Sequence, residues 1–349
     1  ATMIKTRRLN RLTVFKWGLA MSLLPAVWVV VVFVLYAIFG YEFLRVPFLP
    51  IATVGTAVAF YVGFKNNSSY DRFWEGRKIW GGVVNASRSW ANGVLAYVDP
   101  DGQHPERSAT HTELLYRHLA WINALRLQLR RKSRFFHKPA ITTAQRLRKH
   151  GDHMRNDWDK ELAPFLSDAE LADVSKKSNS ATHVVATQGQ QLARLVEDGR
   201  LDKFHQIELM SLLTELYTLQ GKCERIKNTP FPRQYAEYSR IVTRVFVFLV
   251  PLGMLDVFGD HIRQTNPEEL MLTGETWMWV APMQLASVLV SWVFQSMEGI
   301  GDASEDPFER SMNDVPMNAL CVTIERDLRE LLGETELPSP EQPIDGILY

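Results

Sequence analysis

Long uncharged stretches alternate with charged, polar segments along the 349 residues of this chain. Trp17 to Tyr41 contains no charged side chain, and its length exceeds the ~20 apolar residues that a helix needs to cross a bilayer. Val46 to Phe64 is a second uncharged stretch, separated from the first by a short charged linker. The two stretches together predict a transmembrane hairpin.

Two further stretches predict membrane crossings nearer the C-terminus. Thr276 to Met297 is apolar, with Trp277 and Trp279 at one end as anchors at the membrane interface. The segment between Arg240 and Asp256 is shorter and is interrupted by Arg244. It qualifies as a fourth crossing provided that this arginine faces protein or snorkels to the interface.

The distribution of basic residues predicts the topology. Positive charges precede the first span and follow the second, at Lys5, Arg7, Arg8, Arg11, Lys65, Arg72, Arg77 and Lys78. By the positive-inside rule both flanks lie in the cytoplasm, which predicts a multi-pass protein of the inner (plasma) membrane with both termini cytoplasmic. A cleaved signal peptide is a rival interpretation of the first stretch, but the apolar run is too long and no small-residue cleavage site follows it.

The stretch between the second and third crossings is predicted to form a helical, water-soluble domain. Apolar residues recur at helical spacing at Leu115, Leu119, Ile122, Leu125 and Leu129, and again at Phe204, Ile207, Leu212, Leu216 and Leu219. Ser167 followed by Glu170 is a helix-capping pattern. The prediction is an all-α membrane protein with a cytosolic segment 1–15, a transmembrane hairpin 16–80, a helical cytosolic domain 81–235, membrane helices in 236–299, and a cytosolic loop, helix and proline-rich extended tail in 300–349.

Composition and motif content argue against several classes of function. The formal net charge is +0, so no overall field favours nucleic acid or an acidic substrate. Cys223 and Cys321 are far apart and fit no zinc, redox or disulfide framework, which indicates a reducing compartment. No nucleophile elbow, P-loop or glycine-rich dinucleotide turn is present in the sequence.

The second predicted span carries two rows of residues at a spacing of four. Gly55, Ala59 and Gly63 form a row of small side chains that lets helices approach closely in a membrane. Thr56, Phe60 and Phe64 form the adjacent row. One interpretation is ordinary packing inside a four-helix monomer. The other is several copies of this helix around an axis, with phenylalanine rings that gate a pore by dewetting.

Three motifs carry a family resemblance. The segments "GFKNNSSYDRFWEGRKIWG", "CERIKNTPFP" and "EDPFERSMNDVPMNALC" resemble the bacterial branch of the bestrophin family, in the expected order. The resemblance implies a homopentameric ion channel in the lipid bilayer, with four membrane helices per subunit and a funnel-shaped central pore lined by the second span. It also implies a hydrophobic neck at Thr56, Phe60 and Phe64, where the first position is usually aliphatic, and a cytosolic aperture at Ile207.

The resemblance further implies passive conduction of small monovalent ions. Phenyl edges at the neck favour anions such as chloride modestly, while a cation-selective bestrophin-like channel remains the alternative. Animal bestrophins bind calcium at a run of acids after the fourth span, but Arg310, Ser311 and Met312 occupy those positions here. Asp306 and Asp314 are weak calcium candidates, and we expect no bound cofactor.

A membrane enzyme and a membrane scaffold are the alternatives to a channel. A membrane-bound metal enzyme of the di-iron desaturase type needs about eight ligands in histidine boxes, whereas this chain has nine histidines of which only His150 and His153 form a close pair. A membrane scaffold that conducts nothing is the third interpretation. Metal analysis tests the enzyme, and ion flux from proteoliposomes tests the scaffold.

Overall fold

The protein is built from α-helices throughout the part of the chain that the structure describes. The computed structural model describes residues 11–131, 155–265, 274–309, 313–343 and 347–348. In chain order its helices are α1 (Arg11–Ala37), α2 (Phe48–Tyr97), α3 (Arg107–Arg130), α4 (Trp158–Leu162), α5 (Asp168–Ser175), α6 (Ser180–Glu197), α7 (Lys203–Asn228), α8 (Arg233–Thr265), α9 (Gly274–Ser304) and α10 (Met317–Leu331). The predicted all-α class is confirmed.

The chain divides into two compact units. The membrane unit comprises Thr6–Asp71 together with Phe231–Glu305, and the extramembrane unit is formed mainly by Arg72–Pro230 together with Asp306–Tyr349. Helix α2 is continuous over 50 residues and contributes to both units.

Each of the four predicted crossings corresponds to a helix. Within the described residues, α2, α8 and α9 contain segments long and apolar enough to span a membrane, and α1 contains the shorter apolar segment Met21–Ala37. Arg244 does not interrupt α8, because this 33-residue helix continues past it to Thr265.

Two apolar clusters hold the membrane unit together. In one, residues of α1 such as Val32 and Tyr36 pack with Leu255 of α8 and Met283 of α9. In the other, Ile51, Val58 and Val62 of α2 pack with Phe246 and Val250 of α8. A Cβ atom at Gly55 would lie 2.6 Å from the Phe246 ring, so this position needs glycine for the close approach of α2 and α8.

A buried ion cluster also joins the helices of the membrane unit. Lys65 of α2 is 1% exposed, and its Nζ donates at 2.5 Å to one carboxylate oxygen each of Glu298 and Asp302 on α9. The other oxygen of Glu298 accepts from the Ser239 hydroxyl on α8, at 2.7 Å. Each charge in this cluster therefore has an opposite charge or a donor beside it, which offsets the cost of taking it out of water.

The extramembrane unit has one large apolar core. All five apolar positions predicted on α3, from Leu115 to Leu129, are buried in it. Helix α7 approaches α2 closely at two glycines: a Cβ atom at Gly82 would lie 2.9 Å from Leu219, and one at Gly93 would lie 2.9 Å from Leu209. Both glycines sit inside a helix, where they cost stability unless such a contact needs them.

Smaller features of this unit also follow from the sequence. The Ser167 hydroxyl caps α5 by accepting from the backbone N–H of Glu170, as predicted. The Glu170 carboxylate does not complete a capping box, because it accepts from Arg117 of α3. Cys223 and Cys321 are free and buried, and burial raises the pKa of both thiols, that of Cys321 to about 11.

His118 is fully buried in the core of the extramembrane unit. One ring nitrogen lies 2.8 Å from the Ser87 hydroxyl, and the imidazole packs between Trp90 and Trp121. Burial lowers the pKa of His118 from its ordinary 6.5 to about 3, because a charged imidazolium would be desolvated there.

We predict that Lys65→Gln strongly destabilises the protein. The substitution leaves Glu298 buried without a cation, and breaking a buried ion pair from one side typically costs about 3–5 kcal/mol. The measurement is thermal unfolding of the detergent-purified protein. Lys78→Gln, at an exposed lysine of the same helix, is the matched control and should unfold at the wild-type temperature. A Lys65→Gln protein as stable as the wild type would contradict the role of the cluster.

We predict that His118 makes the protein less stable in acid. Between pH 6.5 and about 3 the unfolded chain binds a proton that the native state does not, so stability falls as the pH falls, by up to ~1.4 kcal/mol per pH unit. His118→Gln should reduce the difference between melting temperatures at pH 7 and pH 5. The exposed His183→Gln should leave that difference unchanged. An unchanged difference in His118→Gln would rule this group out as its source.

Candidate pore-lining surfaces

Helix α2 is exposed around most of its circumference between Thr53 and Trp74, and one seam of this surface follows a spacing of three and four residues. This α2 stripe, every member of which is exposed, consists of Thr53, Thr56, Phe60, Gly63, Asn67, Tyr70 and Trp74. Such spacing keeps side chains on the seam along which helices pack about a common axis. The buried residues Ile51, Val58, Val62 and Lys65 lie on the opposite face.

The α2 stripe differs in chemistry from the other exposed faces of the membrane unit. The stripe contains hydroxyls, a glycine and an amide, which are groups that gain nothing from contact with lipid chains. The exposed residues of α1 and α9 are instead mostly aliphatic and include Leu23, Leu24, Val27, Val30, Leu285, Leu289 and Val293. The outer faces of α1 and α9 therefore suit lipid, and the α2 stripe suits protein or water.

The predicted neck residues lie on or beside the α2 stripe. The side chain of Phe60 is 76% exposed, that of Phe64 is 61% exposed, and Thr56 is exposed as well. Phe64 also contacts the Tyr235 ring at a centroid distance of 6.0 Å. No helix of the same chain, within the described residues, covers this row.

The row of small residues is split by the structure. Gly55 packs against Phe246, whereas Ala59 is exposed and a Cβ atom at Gly63 would meet nothing within 4 Å. Packing inside one monomer therefore explains Gly55 alone. The positions of Ala59 and Gly63 leave room for a neighbour from another chain.

Helix α7 carries a second exposed stripe with the same spacing. The α7 stripe consists of Phe204, Ile207, Ser211, Thr214, Thr218, Gly221 and Arg225. Phe204 and Ile207 follow the apolar period of this helix but lie outside its core, because they are 81% and 67% exposed. The core face consists instead of Leu209, Leu213, Leu216, Leu219, Cys223 and Ile226. Phe204 and Ile207 lie one turn apart on this exposed face, so they are candidates for contact with another copy of the chain or for the lining of a passage.

The polar continuation of α2 divides between its faces. Ser69 is buried and Asn67 is exposed, so the run of amides and hydroxyls does not share one environment. The charges that follow are partly paired, as the simple interpretation of an alternating-charge helix predicts. Glu75 accepts from Arg225 of α7 at 2.5 Å, and Arg72 donates to the carbonyls of Ile226 and Thr229.

The two weak calcium candidates have arginine partners in the extramembrane unit. Asp306 lies 3.6 Å from a nitrogen of Arg72, and the buried Asp314 lies 4.0 Å from a nitrogen of Arg130. A calcium ion needs six to eight oxygens and would have to displace a guanidinium at each carboxylate. Arg310, Ser311 and Met312 lie outside the described residues. In the described ranges no group of three or more histidine, cysteine or acidic side chains could hold a metal. Among the described residues, Asp306 and Asp314 therefore do not form a calcium site.

The histidines of the described residues serve separate contacts. The His111 ring bonds the Val98 carbonyl at 2.9 Å, His118 bonds Ser87, and His205 stacks on Tyr97 at 4.2 Å. The pair His150 and His153 lies outside the described residues.

Comparison with known proteins identifies the family. The sequence profile described as "Bacterial/Fungal Bestrophin protein" matches residues 4–330. The voltage-dependent anion channel-forming protein YneE of Escherichia coli O157:H7 is 28% identical over 317 residues, covering 90% of this chain and 86% of its own length. The voltage-dependent anion channel-forming protein mll4386 of Mesorhizobium japonicum is 27% identical over 285 residues, covering 82% of this chain and 75% of that protein.

A solved structure shares the fold. The crystal structure of a bacterial bestrophin homolog from Klebsiella pneumoniae is 24% identical in sequence and superposes with a TM-score of 0.71. The match covers 91% of this chain and 99% of that chain. With the profile match extending over nearly the whole sequence, this chain belongs to the bacterial and fungal bestrophin family.

Proposed function

We propose that this protein is an ion channel in which copies of α2 surround a central pore, five of them by the family resemblance. The observation that carries the proposal is the α2 stripe, an exposed seam of a membrane helix in which threonine, glycine and asparagine are interspersed with aromatic residues. Its spacing is typical of helices around a shared axis. Both termini lie in the cytoplasm and the channel sits in the inner (plasma) membrane, as the basic flanks of the first two spans indicate.

The pore has its hydrophobic neck at Thr56, Phe60 and Phe64. Exposure of both phenyl rings in the single chain supports this assignment, because a ring facing an axis is uncovered until other copies assemble. A ring of apolar side chains does not replace the hydration shell of an ion, so it opposes conduction by dewetting and passes ions passively when wet.

The channel conducts small monovalent anions such as chloride. Two relatives carry the words "anion channel-forming" in their names, and the positive edges of the Phe60 and Phe64 rings favour anions at the neck. Ions cross the proposed channel by electrodiffusion. Selection among ions depends on the diameter of the neck and on the weak dipoles of the side chains that line it.

A cation-selective channel is the second candidate, and one contact favours it. The Thr56 hydroxyl donates to the Ala52 carbonyl at 3.1 Å, so its oxygen lone pairs are what it presents outward. A ring of such oxygens would favour cations over anions. Thr56 stands where the family usually has an aliphatic residue, so the ion preference of this member depends on that ring.

The cytosolic aperture of the channel is formed by Ile207. Ile207 is exposed on α7, which supports this role. Phe204 lies one turn away on the same stripe and adds a second apolar side chain to the aperture. The enzyme alternative is set aside, since the family assignment makes the chain a bestrophin and not a desaturase.

The test of function is the reversal potential of the purified protein in planar bilayers across a salt gradient. An anion channel shifts the reversal potential toward the equilibrium potential of chloride, and a cation channel shifts it the opposite way. Absence of any conductance, with intact protein in the bilayer, would support the scaffold interpretation instead.

We predict that the double substitution Phe60→Ala and Phe64→Ala raises ion flux severalfold. Removing the rings widens and wets the neck, which lowers the dewetting barrier. The measurement is flux from proteoliposomes at equal protein content. The matched control is Leu285→Ala with Leu289→Ala on α9, which removes two exposed aliphatic side chains and should leave flux unchanged. Unchanged flux in the phenylalanine variant would contradict the neck.

We predict that Ile207→Thr alters conductance or permeability ratios without changing assembly. The substitution keeps the β-branched shape but places a hydroxyl at the aperture, where it can partly replace the water around a passing ion. Leu331→Thr, at an exposed position of α10, is the control. Conductance and permeability ratios that both stay fixed in Ile207→Thr would show that the aperture lies elsewhere.

A further inference from the structure

The membrane unit contains a cavity of about 610 Å³ between α1, α8 and α9. Its walls are mainly apolar, and they include Leu24, Pro25 and Trp28 of α1 and Val247 and Phe248 of α8. Trp28 and Phe248 stack at a centroid distance of 4.6 Å, so one wall is a continuous aromatic surface. The volume lies within the range of small-molecule sites.

One positive charge in this cavity has no protein partner among the residues that the structure describes. Arg244 lines the cavity and is exposed, and within the described residues it has neither a hydrogen bond nor an ion pair. Arg240, one turn earlier, pairs with Glu237 at 2.9 Å and with Asp302 at 3.4 Å. The acids that line the cavity are thus already held by other cations, because Lys65 contacts both Glu298 and Asp302.

A second polar group in the cavity also lacks a partner within the described part of the chain. Thr243 is 2% exposed and lines the cavity, and its hydroxyl has no hydrogen bond among the described residues. A buried hydroxyl left unsatisfied costs about 1–3 kcal/mol, so a ligand acceptor at this point would be favoured. The cavity therefore offers a cation and a hydroxyl donor beside an apolar wall.

We propose that this cavity binds an anionic phospholipid, with the phosphate at Arg244 and Thr243 and an acyl chain along Leu24, Trp28 and Phe248. The pairing supports an anion, since Arg244 lines the cavity and contacts no carboxylate of the described residues, whereas Lys65 and Arg240 each contact two. The position of Arg244 along α8 supports a lipid. Arg244 lies four residues beyond Arg240, or about 6 Å further along the helix. From that depth an arginine side chain can extend to the headgroup region of the membrane. The apolar wall supports an acyl chain over a free ion.

The experiment measures which lipids the purified protein retains. The wild-type protein is reconstituted in vesicles of equal parts phosphatidylglycerol and phosphatidylcholine, extracted in mild detergent, and analysed by native mass spectrometry. One arginine beside an anionic headgroup is expected to give about a fivefold preference for phosphatidylglycerol. The same spectrum gives the number of subunits, and no ion flux is needed.

Four variants complete the experiment. Arg244→Gln should abolish the preference, Arg244→Lys should keep most of it, and Thr243→Val should reduce it while leaving Arg244 in place. Arg194→Gln removes an exposed arginine of α6 in the extramembrane unit and should retain lipid as the wild type does. Wild-type protein without a preference, or Arg244→Gln with an unaltered one, overturns the proposal. A change in subunit number in Arg244→Gln with an unaltered lipid ratio also overturns it, and identifies a second copy of this chain as the occupant.

Discussion

Lys65 is a buried ammonium group within a long membrane helix, and its charge must be balanced by Glu298 and Asp302 on α9. This requirement fixes the rotation of α2 about its own axis, because any other rotation would leave charges of both signs buried without partners. Once Lys65 faces α9, the α2 stripe has to point away from the rest of the membrane unit. The exposure of Phe60, Gly63 and Asn67 is therefore a consequence of an ion cluster on the opposite side of the helix.

The helices of the membrane unit differ in how regular they are. Proline lies inside α1, α8 and α9, at Pro25, Pro251 and Pro282, and each proline removes a backbone hydrogen bond and permits a kink. Helix α2 has no proline beyond its first turn and continues for 50 residues. The helix that we propose to line the pore is thus the one whose backbone has no such weak point in the membrane, which suits a constriction whose diameter must be held by several identical copies.

Much of this fold could be predicted from the sequence because it rests on local signals. The four apolar stretches, the α3 core stripe and the Ser167 cap each depend on residues close together in the chain. The partners of Lys65 could not be predicted in this way, since Glu298 is 233 residues away and Asp302 is 237 residues away. Periodicity alone could not separate Phe204 and Ile207 from the core positions of α7, because apolar residues at helical spacing look the same whether they face a core or an axis. The alternation of three and four along both exposed stripes was present in the sequence, but only the burial of the opposite faces separates it from core packing.

The two cysteines of the chain have a practical consequence. Both are buried, and the neutral thiols that burial favours react slowly with thiol-specific reagents, since the thiolate is the nucleophile. The two native cysteines should therefore contribute little background signal when the protein is labelled with thiol reagents. A cysteine introduced singly at each exposed position of α2 or α7 could be modified with charged methanethiosulfonate compounds without first removing the native thiols, so water access could be mapped along both helices, one position at a time.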